Sequence, residues 1–226
     1  METLLITLRI FPLSLFAAAL AFPCSVPLAV GQSGAAAKPE FAYFTSRDAT
    51  FRVKYPQYLV RCEHLDAENP DVWSPEGACI ASIPVCDSSG HAGNVLACLA
   101  YPINEFHGSE LQAAALAVSR LDSFGAAAEC TRRWTNRDTS NVHEERIRGA
   151  RFQAAKVAET QGSYVAEHSV YRVFHKGACY ELDVNLSTAL ATAFAAEDAP
   201  RKLTPAERDK IKISLTEALE GFRFLK

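Results

Sequence analysis

Residues 49–62 read ATFRVKYPQYLVRC, with Phe51, Val53 and Tyr55 alternating against Arg52 and Lys54. This period of two predicts a half-buried strand that stops at Pro56. Residues 63–78 are polar with two prolines and predict a loop, with Trp73 folding back as a local anchor. Residues 79–86 (CIASIPVC) and 94–102 (NVLACLAYP) flank DSSGHAG and predict a hairpin in which Pro84 takes an edge or a bulge. Residues 108–125 place Leu111, Ala114, Ala115, Val118 and Leu121 at helical spacing, between a Ser109–Gln112 capping pair and Gly125. That pattern predicts a helix.

Beyond a polar turn near Trp134, residues 143–162 predict a strand pair or one bent strand, with Gly149 at the bend. Residues 187–200 are Ala-rich and ambiguous between helix and coil. Residues 203–222 predict the clearest helix: Thr204 caps it, Pro205 takes the first turn, and Glu207 completes the capping box. Ile211, Leu215, Ala218, Leu219 and Phe222 form its apolar face. The order of elements predicts an α+β domain, an antiparallel β-sheet between helices in an α/β/α arrangement.

The stretch VYRVFHKGACYELDV (170–184) carries His175 and Cys179 four positions apart. A two-residue turn at Lys176-Gly177 sets Phe174 opposite Cys179, Val173 opposite Tyr180, Arg172 opposite Glu181 and Tyr171 opposite Leu182. His175 and Cys179 then fall on opposite faces and cannot share a metal ion or a proton. Arg172 and Glu181 form a cross-strand ion pair worth about 0.2–1 kcal/mol.

Composition changes this picture little. The chain has 226 residues, 49% hydrophobic and 22% charged, with a net charge of -3. Nothing in that balance points to nucleic-acid binding. Past the N-terminus no apolar run is long enough to span a bilayer.

The N-terminus itself reads as a signal peptide over residues 1–31, with a disordered leader over 32–45 and a single domain over 46–226. Small residues permit cleavage after Ala21 or after Gly31, and the second choice leaves an even set of six cysteines. A lipid anchor at Cys24 is the rival reading, opposed by Pro23.

Those six are Cys62, Cys79, Cys86, Cys98, Cys130 and Cys179, without a C-x-x-C spacing. They read as disulfides rather than as metal ligands, and no metal or other cofactor is expected. Of fifteen connectivities the favoured set is Cys86–Cys98 across the hairpin they flank, Cys130–Cys179 as a long-range tie, and Cys62–Cys79 by elimination. His143 with Glu144 and Glu145 reads as a solvated strand entry, and His64, His91 and His107 fall in predicted loops. No nucleophile-elbow, phosphate-loop or dinucleotide fingerprint occurs, and Ser119 sits mid-pattern rather than on a strained turn. Trp73 and Trp134 read as packing residues before cleft residues.

The strand FRVKYP (51–56), the glycine-entered IRGARFQ (147–153), the long hairpin, and a terminal helix running into Phe222 and Phe224 together resemble the PsbP-like group. Its founding members are extrinsic proteins of the photosystem oxygen-evolving complex. The resemblance implies a sheet between helices, used as an adaptor or accessory module; the cysteine set departs from that group. The expectation is an exported, periplasmic or secreted, non-catalytic domain that binds an envelope protein or a small ligand. The alternative is a hydrolase whose site assembles from His91, His107 or His143.

Overall fold

The computed structural model describes residues 40–62, 86, 93–122, 124–132 and 141–226. Among the described residues two antiparallel sheets carry the architecture. The smaller has the order β1 (Phe41–Thr45), β2 (Phe51–Pro56), β10 (Phe222–Phe224). Among the described residues the larger has seven strands in the order β3 (Val60–Cys62), β4 (Asn94–Ala100), β5 (Leu111–Leu121), β9 (Ala178–Ala189), β8 (Tyr164–His175), β7 (Ala150–Gln161), β6 (His143–Ile147).

Helix α2 (Pro205–Glu220) and the small sheet cover one face of the large sheet. The core there joins Phe51, Val53 and Phe222 to Tyr180, Leu182, Ile211 and Leu215. The short helix α1 (Ala127–Arg132) reaches the opposite face through the Cys130–Cys179 bond, beside Leu121 and Phe124. The fold is α+β, as expected.

Several elements match their sequence signals. In β2, Phe51, Val53 and Tyr55 are buried and Arg52 and Lys54 are not. Helix α2 has its full capping box: Thr204 accepts from the Glu207 amide, and Glu207 accepts from the Thr204 amide at 2.8 Å. The β8–β9 hairpin has the expected register, from Arg172 opposite Glu181 to Phe174 opposite Cys179. Its turn needs positive φ at both central residues, and Lys176 (47°) and Gly177 (82°) supply it. Arg148 and Gly149 turn β6 into β7 in the same way.

Two expectations are corrected. The segment expected to be a helix over 108–125 is strand β5, paired with β4 on one side and β9 on the other. Nine of its eleven residues are buried, as befits a strand with both faces covered. In so continuous an apolar run, helical spacing carries no information. Ser109, expected to cap the helix, instead accepts from the Leu111 amide at 3.3 Å. The second correction concerns residues 32–45: Phe41–Thr45 form β1, paired with β2, so ordered structure begins inside the expected leader. Phe44 packs on the core, which gives this segment a reason to order. The ambiguous stretch after 187 continues β9 to Ala189, then makes one short 3-10 turn at Ala191–Ala193.

The loop around Trp73, the polar turn at Trp134 and the expected strand over 79–85 lie outside the described residues. No helix of the described residues is long and apolar enough to cross a membrane.

Candidate functional site

The outer strands of the large sheet extend beyond the cover of α2, and a groove forms between them. Strand β7 turns Ala154, Lys156 and Ala158 to this side; their partners on β8 are Tyr171, Ser169 and Glu167. Strand β9 adds Val184 and Leu186, and α2 adds Ile211, Lys212, Leu215, Thr216 and Leu219. The cavity between them measures about 540 Å³, within the range of small-ligand sites. A second hollow of about 260 Å³ shares Tyr171, Thr216 and Leu219 and is bounded by Glu145 to Arg148 of β6 and its turn.

The floor is apolar and the rim is charged. Leu186, Ile211, Leu215 and Leu219 are buried, whereas Lys156 and Lys212 are exposed. At one end Glu167 accepts from Arg208 at 2.5 Å and meets Lys212 at 3.5 Å. Burial, and secondarily the charge of Glu145, push the Tyr171 hydroxyl up to about 12. Tyr171 therefore stays protonated and can donate a hydrogen bond into the groove. Val157 and His168 also border it, but their side chains alternate to the opposite face of the sheet.

On that opposite face β9 carries Glu181, Asp183, Asn185 and Ser187 at successive alternate positions, all buried. His168 of β8 lies among them. Its Nδ1 is 2.9 Å from Asp183 Oδ2, and its Nε2 is 3.2 Å from Glu159 Oε1, too poorly aligned there for a hydrogen bond. Ser187 donates to Asn185 Oδ1 at 2.8 Å, so its hydroxyl proton is given to the amide and not to the imidazole. An Asp–His pair orients a base, but a triad also needs a hydroxyl or thiol at the second ring nitrogen, and here a carboxylate occupies that position.

Sequence reasoning missed this cluster. Its signal was the period-two run Glu181, Asp183, Asn185, Ser187 inside an otherwise apolar strand. A solvated strand face would give the same pattern, and only the fold reveals that these residues are buried.

The sequence-derived candidates fall elsewhere. His175 stacks on Phe224 with ring centroids 3.8 Å apart, on the same face as Tyr180. Burial, then the neighbouring Lys176, hold its pKa below the usual value. Cys179 is bonded to Cys130 on the other face, so the two are separated as the pleat requires. His143 begins edge strand β6, with Nδ1 3.1 Å from the Asn141 carbonyl. His107 precedes β5, and three strands intervene between β5 and β6, a lateral offset of about 19 Å. These two histidines do not converge. His64 and His91 lie outside the described residues.

Cys86–Cys98 and Cys130–Cys179 are joined, with Cα atoms 5.6 and 5.5 Å apart. Cys62 is also disulfide-bonded; Cys79 lies outside the described residues. The sulfurs of Cys62, Cys86 and Cys98 are within 4.8 Å of one another, but bonded sulfurs are not thiolate ligands for a metal.

No protein-family profile matches the chain, and no curated protein matches it. Solved structures are similar to it at low identity. The solution structure of cyanobacterial PsbP (CyanoP) from Synechocystis sp. PCC 6803 is similar at a TM-score of 0.39 and 10% identity, over 87% of this chain and 99% of that one. The Saccharomyces cerevisiae Ran-binding protein Mog1p is similar at a TM-score of 0.37 and 10% identity, over 82% and 96%. A Bacteroides thetaiotaomicron protein is similar at a TM-score of 0.37 and 12% identity, over 81% of this chain; the chain spans 48% of that protein's length.

Proposed function

We propose that this chain is an exported, non-catalytic domain that holds a partner protein or a small ligand in the groove between α2 and β7–β8. The observation that carries the reading is the groove itself: a cavity of about 540 Å³ with an apolar floor, one protonated tyrosine and a lysine rim. That combination of apolar contact and a few orienting polar groups is what binding sites offer. The disulfide pairs support an oxidising compartment, and with it removal of residues 1–31 as a signal peptide and a start near Gln32. N-terminal sequencing of the recovered protein reads that step directly.

The groove is tested by placing the photo-crosslinker p-benzoylphenylalanine at Ala158, on its wall, and separately at Ile213, which is 59% exposed on α2 and outside the groove lining. After irradiation in producing cells, mass spectrometry should find an adduct at position 158 that is missing at position 213. Equal labelling at both positions, or at neither, would remove the groove from consideration.

A further inference from the structure

The small sheet β1–β2–β10 turns Phe44, Phe51, Val53 and Phe222 into the core. The pleat sends the alternate residues outward: Phe41, Tyr43 and Thr45 from β1, Arg52 and Lys54 from β2, and Arg223 from β10. Tyr43 is 59% exposed. Two features of this outward face stand apart.

The first is a like-charge pair. Arg52 and Arg223 are register partners on adjacent strands, and Lys54 follows two positions along β2 on the same side. Like charges directly opposite in a sheet destabilise it. The second is the company these cations keep. Arg52 lies 5.2 Å from the Tyr43 ring centroid and Lys54 lies 3.9 Å from that of Phe41. Neither they nor Arg223 forms an ion pair with a carboxylate among the described residues. Arg120, Arg172, Arg201, Arg208 and Lys210 do so elsewhere, whereas Arg47, Arg146 and Lys176 form none among the described residues. A chain of net charge -3 thus gathers three cations and two aromatic rings on one sheet face.

We propose that this face docks the protein on an anionic phospholipid surface. The chemistry is complementary at each point: three cations meet headgroup phosphates, and the counter-anions relieve the Arg52–Arg223 repulsion. The two rings lie beside the cations at the depth where aromatic side chains settle in the headgroup region. The residues lie on one sheet face rather than around a cavity, which suits a membrane surface better than a folded ligand.

The test is co-sedimentation of the full chain with vesicles of phosphatidylcholine, alone or mixed with phosphatidylglycerol. Any contribution of the N-terminal stretch and of cations elsewhere is common to every variant, so the loss from parent to variant isolates this face. Binding should favour the phosphatidylglycerol vesicles and weaken as salt rises. R223Q should weaken it about fivefold and R52Q/K54Q/R223Q roughly a hundredfold. R223Q should melt no lower than the parent, since it removes a repulsion, and it stands in if the triple variant fails to fold. Equal binding to both vesicles, or an unchanged R223Q, would overturn the proposal. So would capture by soluble polyglutamate without a phosphatidylglycerol preference, which would assign the face to an acidic polypeptide.

Discussion

Arg172 donates from Nε to Glu181 Oε2 at 2.6 Å, with side chains 4% and 2% exposed. The sequence predicts a cross-strand ion pair worth about 0.2–1 kcal/mol; in the fold it is buried beside the Phe124 ring, 5.9 Å away. Burial reverses the consequence of deletion, because the surviving charge is left in a poor solvent. Arg172→Leu should cost about 3–5 kcal/mol, and adding Glu181→Leu should recover much of that loss. Urea unfolding of both variants measures the difference; a double variant no more stable than the single would refute the account. That the two residues oppose each other was legible, since the Lys176-Gly177 turn sets the register. That they are buried was not, because a strand's own sequence does not say what covers its faces. Asp183 and His168 went unread for the same reason.

At the level of elements, α2 and β5 teach opposite lessons. The ends of α2 are written locally in Thr204, Pro205 and Glu207, and local chemistry decides them. The run Leu111–Leu121 has equally good helical spacing, yet β4 and β9 claim its backbone on both sides. Tertiary pairing overrides a pattern that fits either period. The cap gives a prediction with a sign. Hydrogen bonding to Arg201, and then to the Thr204 amide, holds Glu207 down at about 2. A carboxyl lowered by folding stabilises above its unfolded pKa and loses that effect as pH falls toward 2. Melting temperature should therefore decline across the interval from the ordinary carboxylate range down to about 2, and E207Q should flatten part of that decline. Thr204→Ala should cost about 1 kcal/mol at neutral pH. An E207Q profile parallel to that of the parent would show that the box carries no pH dependence.

For the molecule as a whole, the Cys130–Cys179 bond ties positions 49 apart in sequence. Both cysteines are fully buried beside Leu121 and Phe124. Replacing both with serine should lower stability by roughly 2–5 kcal/mol, chiefly by freeing the unfolded chain. Equilibrium unfolding in urea measures the loss, and an unchanged midpoint would count against the bond as a stabilising tie. The two described pairings agree with the connectivity favoured among the fifteen, but parity and spacing alone left the others open. The covering of one sheet face by a second small sheet was not readable, because β1 and β10 are short and lie at opposite ends of the chain.

The same bond bears on the order in which the sheet is assembled. Strand β5 ends at Leu121, opposite Cys179 at the start of β9, while β6, β7 and β8 lie on the chain between them. In the reduced chain, β5 finds β9 only after closing that whole excursion, and such non-local pairing is slow. Once Cys130 and Cys179 are joined, the search shrinks to the short span from Leu121 to Cys130. The three outer strands then hang as a loop tied at its neck. The centre of the sheet can zip without waiting for its edge, and the serine variant that measures stability should also refold more slowly than the oxidised parent.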